Sequence, residues 1–465
     1  MSVDVYLGLS AIDSRRAVPR ATKCHVHLAA KPFVVVGYHL PGDPGAPIGL
    51  LCGTRRERPS TIVVGEPREA KLRLARLANF AMDLNGYAAQ FMQTPTTSRR
   101  ALHTHRPANG PQLVVANQAT AQWLCDVMGR RLRYLRPDGD RPVHPGLPVA
   151  GAHLSFFAGQ RVPGSSLVLP LTEILAQHWV TGQLPSLDAN LASQLAWITD
   201  PGAVAEAEEA LRAGPVPDPE WETRELSDAI KAYHQLVDAH PTRADQPMTG
   251  TIHDALRPSW DACWQALDLL HSLPPADRAR DRWTQDVYQW SRHAERVRSG
   301  QAYFRKRPKQ LQVFRYLTRL ERLTADLSRE MALDDPLIMA GHVAAGEALS
   351  GEVVTLDLSG RRPSLQVRPH LPFPRPVGTD LFWHLPRSTS PSGPAWPIVR
   401  LTTIGVTPEG LITLDVTAGA VRRDRHDRLP QPGQQVVFSP FGPRDYHPDT
   451  LPAELPWTHA EDDDE

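Results

Sequence analysis

Hydrophobic spacing changes period twice along this chain, and that change limits the folds open to it. Short apolar or alternating runs come first: Cys24-His25-Val26-His27-Leu28, Phe33-Val34-Val35-Val36, Ile48-Gly49-Leu50-Leu51-Cys52 and Thr61-Ile62-Val63-Val64. Turn-forming stretches such as Leu40-Pro41-Gly42-Asp43-Pro44-Gly45 separate them, so residues 1–66 read as a small antiparallel sheet or half-barrel. From Pro67 the period lengthens. Leu74, Leu77, Ala81, Leu84, Ala88 and Phe91 recur at threes and fours, which predicts an amphipathic helix over 69–92. Further helices are expected near 115–134, 147–159, 168–181, 187–198, 203–213, 222–239, 252–272, 280–304 and 310–333. After Gly346 about six short strand-like runs return, among them Val353-Val354-Thr355-Leu356, Leu381-Phe382-Trp383 and Val436-Val437-Phe438.

The fold class that follows is α+β: a β-rich N-terminal module, a helical middle region, and a small C-terminal β-barrel or sandwich. Gly214-Pro215-Val216-Pro217-Asp218-Pro219 cannot continue a helix and marks a seam. The expected divisions are therefore 1–66, 67–214, 220–345 and 346–450, with an acidic tail at 451–465. No repeat at solenoid periods is present in the sequence.

Composition narrows the setting. Hydrophobic residues make up 41% of the 465, enough for real cores. The longest apolar runs, Phe33–Gly37 and Leu167–Leu171, are too short to span a bilayer, and the first residues carry no secretory n-region. A soluble, cytoplasmic protein is expected. Cys24, Cys52, Cys125 and Cys263 are scattered without zinc-ligand or disulfide spacing, so they read as reduced core thiols. Arginine outnumbers lysine 45 to 6, a bias typical of GC-rich bacterial coding, so placement says more here than the choice of Arg over Lys.

That placement is uneven. The 51 Lys and Arg cancel the 51 Asp and Glu, yet the signs are sorted. Residues 1–150 hold 20 basic and 10 acidic side chains, 151–286 hold 9 and 19, 287–330 hold 11 and 4, and 331–465 hold 11 and 18. Sorted charge makes a surface field even when the total vanishes.

The basic block at 287–330 is the strongest functional candidate. Trp283, Val287, Trp290, Ala294 and Val297 form one apolar stripe, and Val313, Tyr316, Leu317, Leu320, Leu323 and Leu327 form another beyond Pro308. Arg315, Arg319, Arg322 and Arg329 share the far face of the second helix, and Arg305, Lys306, Arg307 and Lys309 lie between the two helices beside Tyr303 and Phe304. The strip would run about 25 Å and could follow phosphates, with the two aromatics stacking on unpaired bases. Glu321, Asp326 and Glu330 stand near enough to pair with these arginines instead, or the acidic block could dock on them. Two further basic clusters, Lys71, Arg73 and Arg76 with Arg68, and Arg130, Arg131 and Arg133 around Tyr134, fit one polyanion crossing several surfaces. The latter trio also suits the dipole at a helix C-terminus. The tail Glu461–Glu465 would compete with nucleic acid for the strip, so deleting 459–465 should tighten binding at low salt.

Catalytic signatures are missing from the sequence. There is no Walker A loop, no G-x-G-x-x-G after a strand, no G-x-S-x-G and no HExxH helix. His25 and His27, read as strand neighbours, could join His103 and His105, with His39 nearby, in a metal site, although packing roles suit paired strand histidines better. Pro163-Gly164-Ser165-Ser166 offers amides to an anion or a serine helix cap. In the C-terminal block, Phe382, Trp383 and His384 lie on one strand, where Trp383 is expected in the barrel core, and Arg422–Arg428 is a charged loop.

The reading that results is a non-catalytic subunit of a bacterial nucleic-acid-processing assembly, in defence or repair, with no cofactor. It would bind DNA or RNA and pass it to a protein partner such as an ATPase, helicase or nuclease. A protein–protein scaffold with charge-complementary surfaces is the second reading, and a metal-dependent enzyme built on the histidine pairs is the third.

Overall fold

The computed structural model describes residues 3–92, 109–139, 142–200, 214–237, 245–302, 310–388 and 396–443. The chain divides into two compact units, Met1–Lys306 and Arg307–Glu465.

In the first unit, β2 (Phe33–Leu40), β3 (Asp43–Gly53), β4 (Ser60–Val63), β5 (Leu113–Val115) and β6 (Val168–Pro170) form one mixed sheet, in the order β4-β3-β2-β5-β6. β2, β3 and β4 are an antiparallel meander, with Val35 opposite Cys52 and Leu50 opposite Ile62. β5 runs parallel to β2 with Phe33 opposite Leu113, and β6 runs parallel to β5 with Leu113 opposite Val168. A parallel neighbour requires a crossover. The first is α2 (Ala70–Ala89), which leaves β4 and returns the chain to β5.

Helices cover both faces of this sheet. α2 lies on one face with α3, which is α-helical at Gln118–Gln122 and Gly129–Leu132 around a π-helical segment Trp123–Met128. α4 (Gly146–Gly159) completes that layer. The other face carries α5 (Leu171–His178), α6 (Leu191–Thr199), α7 and α8 (Gln246–His271). α7 comprises Pro219–Trp221, a π-helical turn Glu222–Leu226, and Ser227–Val237. Successive β2 side chains therefore alternate between two cores, Val34 and Val36 on the α8 side, Phe33 and Val35 on the α2 side. Both sets are buried, which is why the strand reads as a continuous apolar run. α9 (Asp277–Arg298) drives its stripe of Trp283, Val287, Trp290 and Ala294 into the α2-side core, as its spacing predicts.

The second unit begins with α10 (Gln310–Asp334) and α11 (Pro336–Ala344). Six strands follow: β8 (Leu349–Asp357), β9 (Ser364–Pro369), β10 (Asp380–His384), β11 (Ile398–Val406), β12 (Ile412–Ala418) and β13 (Gln435–Phe438). Their order is β10-β11-β12-β9-β8-β13, all antiparallel. A bridge between Phe382 and Ser439 joins the outermost strands, so the sheet is a nearly closed barrel. Alternate residues point inward, including Val353, Val367, Leu401, Leu414 and Phe438. The architecture is α+β, with a β-rich N-terminal region, a helical middle and a C-terminal six-stranded barrel.

Several local expectations differ from the structure. Val3–Ser14 is a helix, α1, inside the stretch expected to be mainly strand. Residues 168–181 are not one helix: Val168–Pro170 is the buried strand β6, α5 follows, and β7 (Trp179–Val180) pairs with β1 (Val18–Pro19). Cys24–Leu28 alternates but forms only an isolated bridge, at Cys24. Its backbone is held by side chains instead. His27 N–H donates to Ser166 Oγ at 2.9 Å, and Gln112 Nε2 donates to the His27 carbonyl at 2.8 Å. Side-chain partners of this kind satisfy the backbone without a ladder. The helix expected at 203–213 lies outside the described residues.

Candidate nucleic-acid interface

Arg315, Arg319 and Arg322 are exposed on α10. Their spacing of four and three puts them on one face of a 3.6-residue helix. Arg315 and Arg319 have no hydrogen-bond or ion-pair partner among the described residues. Arg329, one further step along the same face, is half-buried, and its Nη2 donates to the Gly442 carbonyl. The outward row is therefore shorter than the sequence reading made it, since its fourth member is tied to the chain's own backbone. The adjacent apolar positions are also open, with Val313, Tyr316 and Leu317 exposed at 41%, 42% and 48%. Tyr303, Phe304, Arg305, Lys306, Arg307 and Lys309 lie outside the described residues, as does the acidic tail.

The N-terminal cations divide in the same way. Lys71 and Arg68 are exposed at the start of α2, whose first turn is capped by the Glu69 carboxylate accepting from Lys71 N–H at 3.0 Å. Arg73 turns back to the Pro67 carbonyl at 2.6 Å, and Arg76 pairs with Asp245 at 2.7 Å. Arg130 is exposed at the end of α3. Arg131 approaches Asp43 at 3.9 Å and lies across Gly45, whose missing side chain leaves the space that the guanidinium occupies. Arg133 stacks on Tyr134 at 4.8 Å and donates to its hydroxyl at 3.1 Å. Lys71 and Arg130 remain directed at solvent, whereas Arg73, Arg76, Arg131 and Arg133 each have work inside the fold.

The described members of the histidine set, His25, His27 and His39, are taken up by packing and hydrogen bonds within the fold. His25 is buried, and its N–H donates to His178 Nε2 at 3.0 Å, while His178 Nδ1 donates to the Ile174 carbonyl at 2.7 Å. A neutral imidazole satisfies both bonds. His27 stacks on Trp283 at 4.3 Å, and burial pulls its pKa down to about 4. His39 bonds the Leu40 carbonyl and tilts against Trp123. His103 and His105 lie outside the described residues, and no three metal-binding side chains converge among the described ones. The four cysteines are buried thiols, and burial raises each of them.

Ser165 and Ser166 cap no helix. The anion they meet is the chain's own Asp286 on α9, which accepts from Ser166 N–H at 2.6 Å. Burial pushes that carboxyl up to about 7 against the hydrogen bonds of the two serines and the charge of Arg282. In the barrel, Phe382 is buried, Trp383 packs edge-on to Phe438, and His384 bonds the Phe441 carbonyl.

One basic feature escaped the sequence reading. The loop Gly53–Ser60 sets Arg55 and Arg58 along one rim of a cleft of about 460 Å³, and α2 forms the opposite wall. The signal was the run Arg55-Arg56-Glu57-Arg58 between two strands, which resembles any solvated turn until α2 is placed across from it.

No protein-family model, curated protein or solved structure matches this chain.

Proposed function

We propose that this chain is a non-catalytic nucleic-acid-binding subunit of a bacterial nucleic-acid-processing complex, in defence or repair, working in the cytoplasm. The observation that carries the reading is the row Arg315, Arg319 and Arg322, exposed on one face of α10, two of its members without an internal partner among the described residues. Three guanidiniums spaced over seven residues span about 11 Å, the distance of roughly six duplex phosphate charges along the axis. Tyr316, exposed beside the row, offers a ring on which a base can stack. Within the first unit, Lys71 and Arg130 are further exposed cations of the kind that neutralise phosphates. Among the described residues no helix is long and apolar enough to cross a membrane.

Changing Arg315, Arg319 and Arg322 together to Ala should weaken binding to a generic oligonucleotide by more than about tenfold at low salt. All three are exposed, so folding is expected to survive. Equal affinity in the variant and the wild type would refute the reading.

The scaffold reading is favoured by a different observation, the open apolar positions Val313, Tyr316 and Leu317. It predicts that the purified chain binds no oligonucleotide at any salt concentration.

A further inference from the structure

The cleft opposite α2 has the parts of a small-molecule site. Its volume of about 460 Å³ falls within the range of pockets that hold nucleotide-sized ligands. The rim loop is anchored by its middle arginine. Arg56 reaches Asp261 and Asp268 on α8, each at 3.4 Å, and the Arg56 carbonyl accepts from Trp260 Nε1 at 2.9 Å. That anchor turns Arg56 away and leaves its neighbours Arg55 and Arg58 lining the cleft. Neither of those guanidiniums has a partner among the described residues.

Across the cleft stands Asp83 on α2. Its Oδ2 accepts the Cys52 thiol at 3.8 Å, and burial together with this carboxylate holds the thiol well above its usual range. Asp83 makes no ion pair with Arg55 or Arg58 among the described residues, although all three line one cavity. The wall beside it is bare. A Cβ at Gly86 would meet nothing within 4 Å, so a flat group can lie against the helix backbone there, flanked by Met82 and Gln90.

Two open guanidiniums are matched by a phosphate, which accepts their forked donors. An open carboxylate facing them is matched by an N–H donor at the other end of the same molecule. The flat wall suits an aromatic ring between the two. We propose that this cleft binds a nucleoside monophosphate unit, with its phosphate on Arg55 and Arg58 and the amino-bearing edge of its base on Asp83. The inference stands independently of the reading of α10. The unit has two sources, a free nucleotide or the phosphorylated end of a strand, and both present the same chemistry.

Calorimetric titration of the full chain tests this with AMP and GMP, with inorganic phosphate, and with a tetranucleotide carrying either a 5′-phosphate or a 5′-hydroxyl. AMP or GMP should bind more tightly than inorganic phosphate. A free-nucleotide site then ignores both oligonucleotides, whereas a strand-end site takes the 5′-phosphorylated one and rejects its 5′-hydroxyl counterpart. The double variant Arg55→Ala/Arg58→Ala should lose at least about tenfold in nucleotide affinity, the cost of one to two charged hydrogen bonds. Gly86→Leu fills the cleft from an exposed helix position, where replacing glycine favours the helix. It should abolish binding while leaving the thermal transition unchanged or raised. The Arg315/Arg319/Arg322 variant should bind nucleotide as wild type does, which separates this proposal from the preceding one. No binding of either nucleotide, phosphate binding as tightly as nucleotide, or a Gly86→Leu protein with undiminished affinity would each overturn it.

Discussion

His153 on α4 and His293 on α9 should make the first unit acid-sensitive. Their rings meet in the core, His153 Nδ1 lying 3.1 Å from His293 Nε2, among Phe156, Phe157 and Trp290. Both side chains are almost fully buried, at 1% and 6% exposure. Burial is the main reason their pKa values fall, to about 4 for His153 and about 3 for His293, the latter also lowered by its neighbour and by Arg296. A folded-state pKa below the unfolded value of about 6.5 means that the unfolded chain binds more protons in between. Stability from the pair is thus complete above pH 6.5 and is lost as pH falls toward 4. Between pH 7 and pH 4.5 each histidine should cost about 2.5 kcal/mol. His27, lowered to about 4, acts in the same direction. Asp286, raised to about 7, acts in the opposite one: its protonated form is favoured by the fold, so acidification returns about 3 kcal/mol. The sum is a net loss on acidification, steepest between pH 6 and 4.5. Urea unfolding at a series of pH values, followed by tryptophan emission, measures it, since Trp290 touches both rings. The double variant His153→Leu/His293→Leu removes two of the titrating groups and should flatten the profile by about 2–3 kcal/mol per pH unit. An unchanged slope in the double variant, or a wild-type stability that does not vary over this range, refutes the reasoning.

Two other substitutions follow from the packing. Gly151→Ala places a methyl group 2.2 Å from the Arg133 nitrogen and 2.6 Å from the Leu132 carbonyl carbon, where backbone must move to admit it. It should lower the first unit's unfolding midpoint by several degrees, the shift expected for about 2–3 kcal/mol of overpacking, and a midpoint within a degree of wild type would contradict the close approach of α3 to α4. Phe438→Ala empties a fully buried position in the barrel and should cost the second unit about 3–5 kcal/mol while leaving the acid profile of the first unit intact, both read by calorimetry.

The long periodic segments were legible and the short buried ones were not. α2 and α10 repeat their apolar residues over five or more turns, so their place and type could be read from spacing alone. β5 and β6 have three residues each and are buried on both faces, so no alternation distinguishes them from a core helix. Leu167–Leu171 consequently read as the opening of a helix when most of it is a strand. The Cys24–Leu28 alternation misled for another reason. It reflects which side chains are buried in an extended segment that pairs with Gln112 and Ser166 rather than with a neighbouring strand. The arginine row on α10 was visible because helical spacing places its members together. That Arg76 would be taken by Asp245, far away in sequence, and that Arg55 and Arg58 would face α2 across a cleft, depend on tertiary contacts that leave no local trace.

The central claim is that the arginines of α10 meet phosphates, and the salt dependence of binding reports that contact directly. Measured by fluorescence anisotropy with a labelled single-stranded oligonucleotide, the slope of log affinity against log salt should be shallower in the Arg315→Ala/Arg319→Ala/Arg322→Ala protein than in the wild type by about two, or by about three with a duplex, one released charge for each lost contact. Identical slopes in the two proteins would contradict the account.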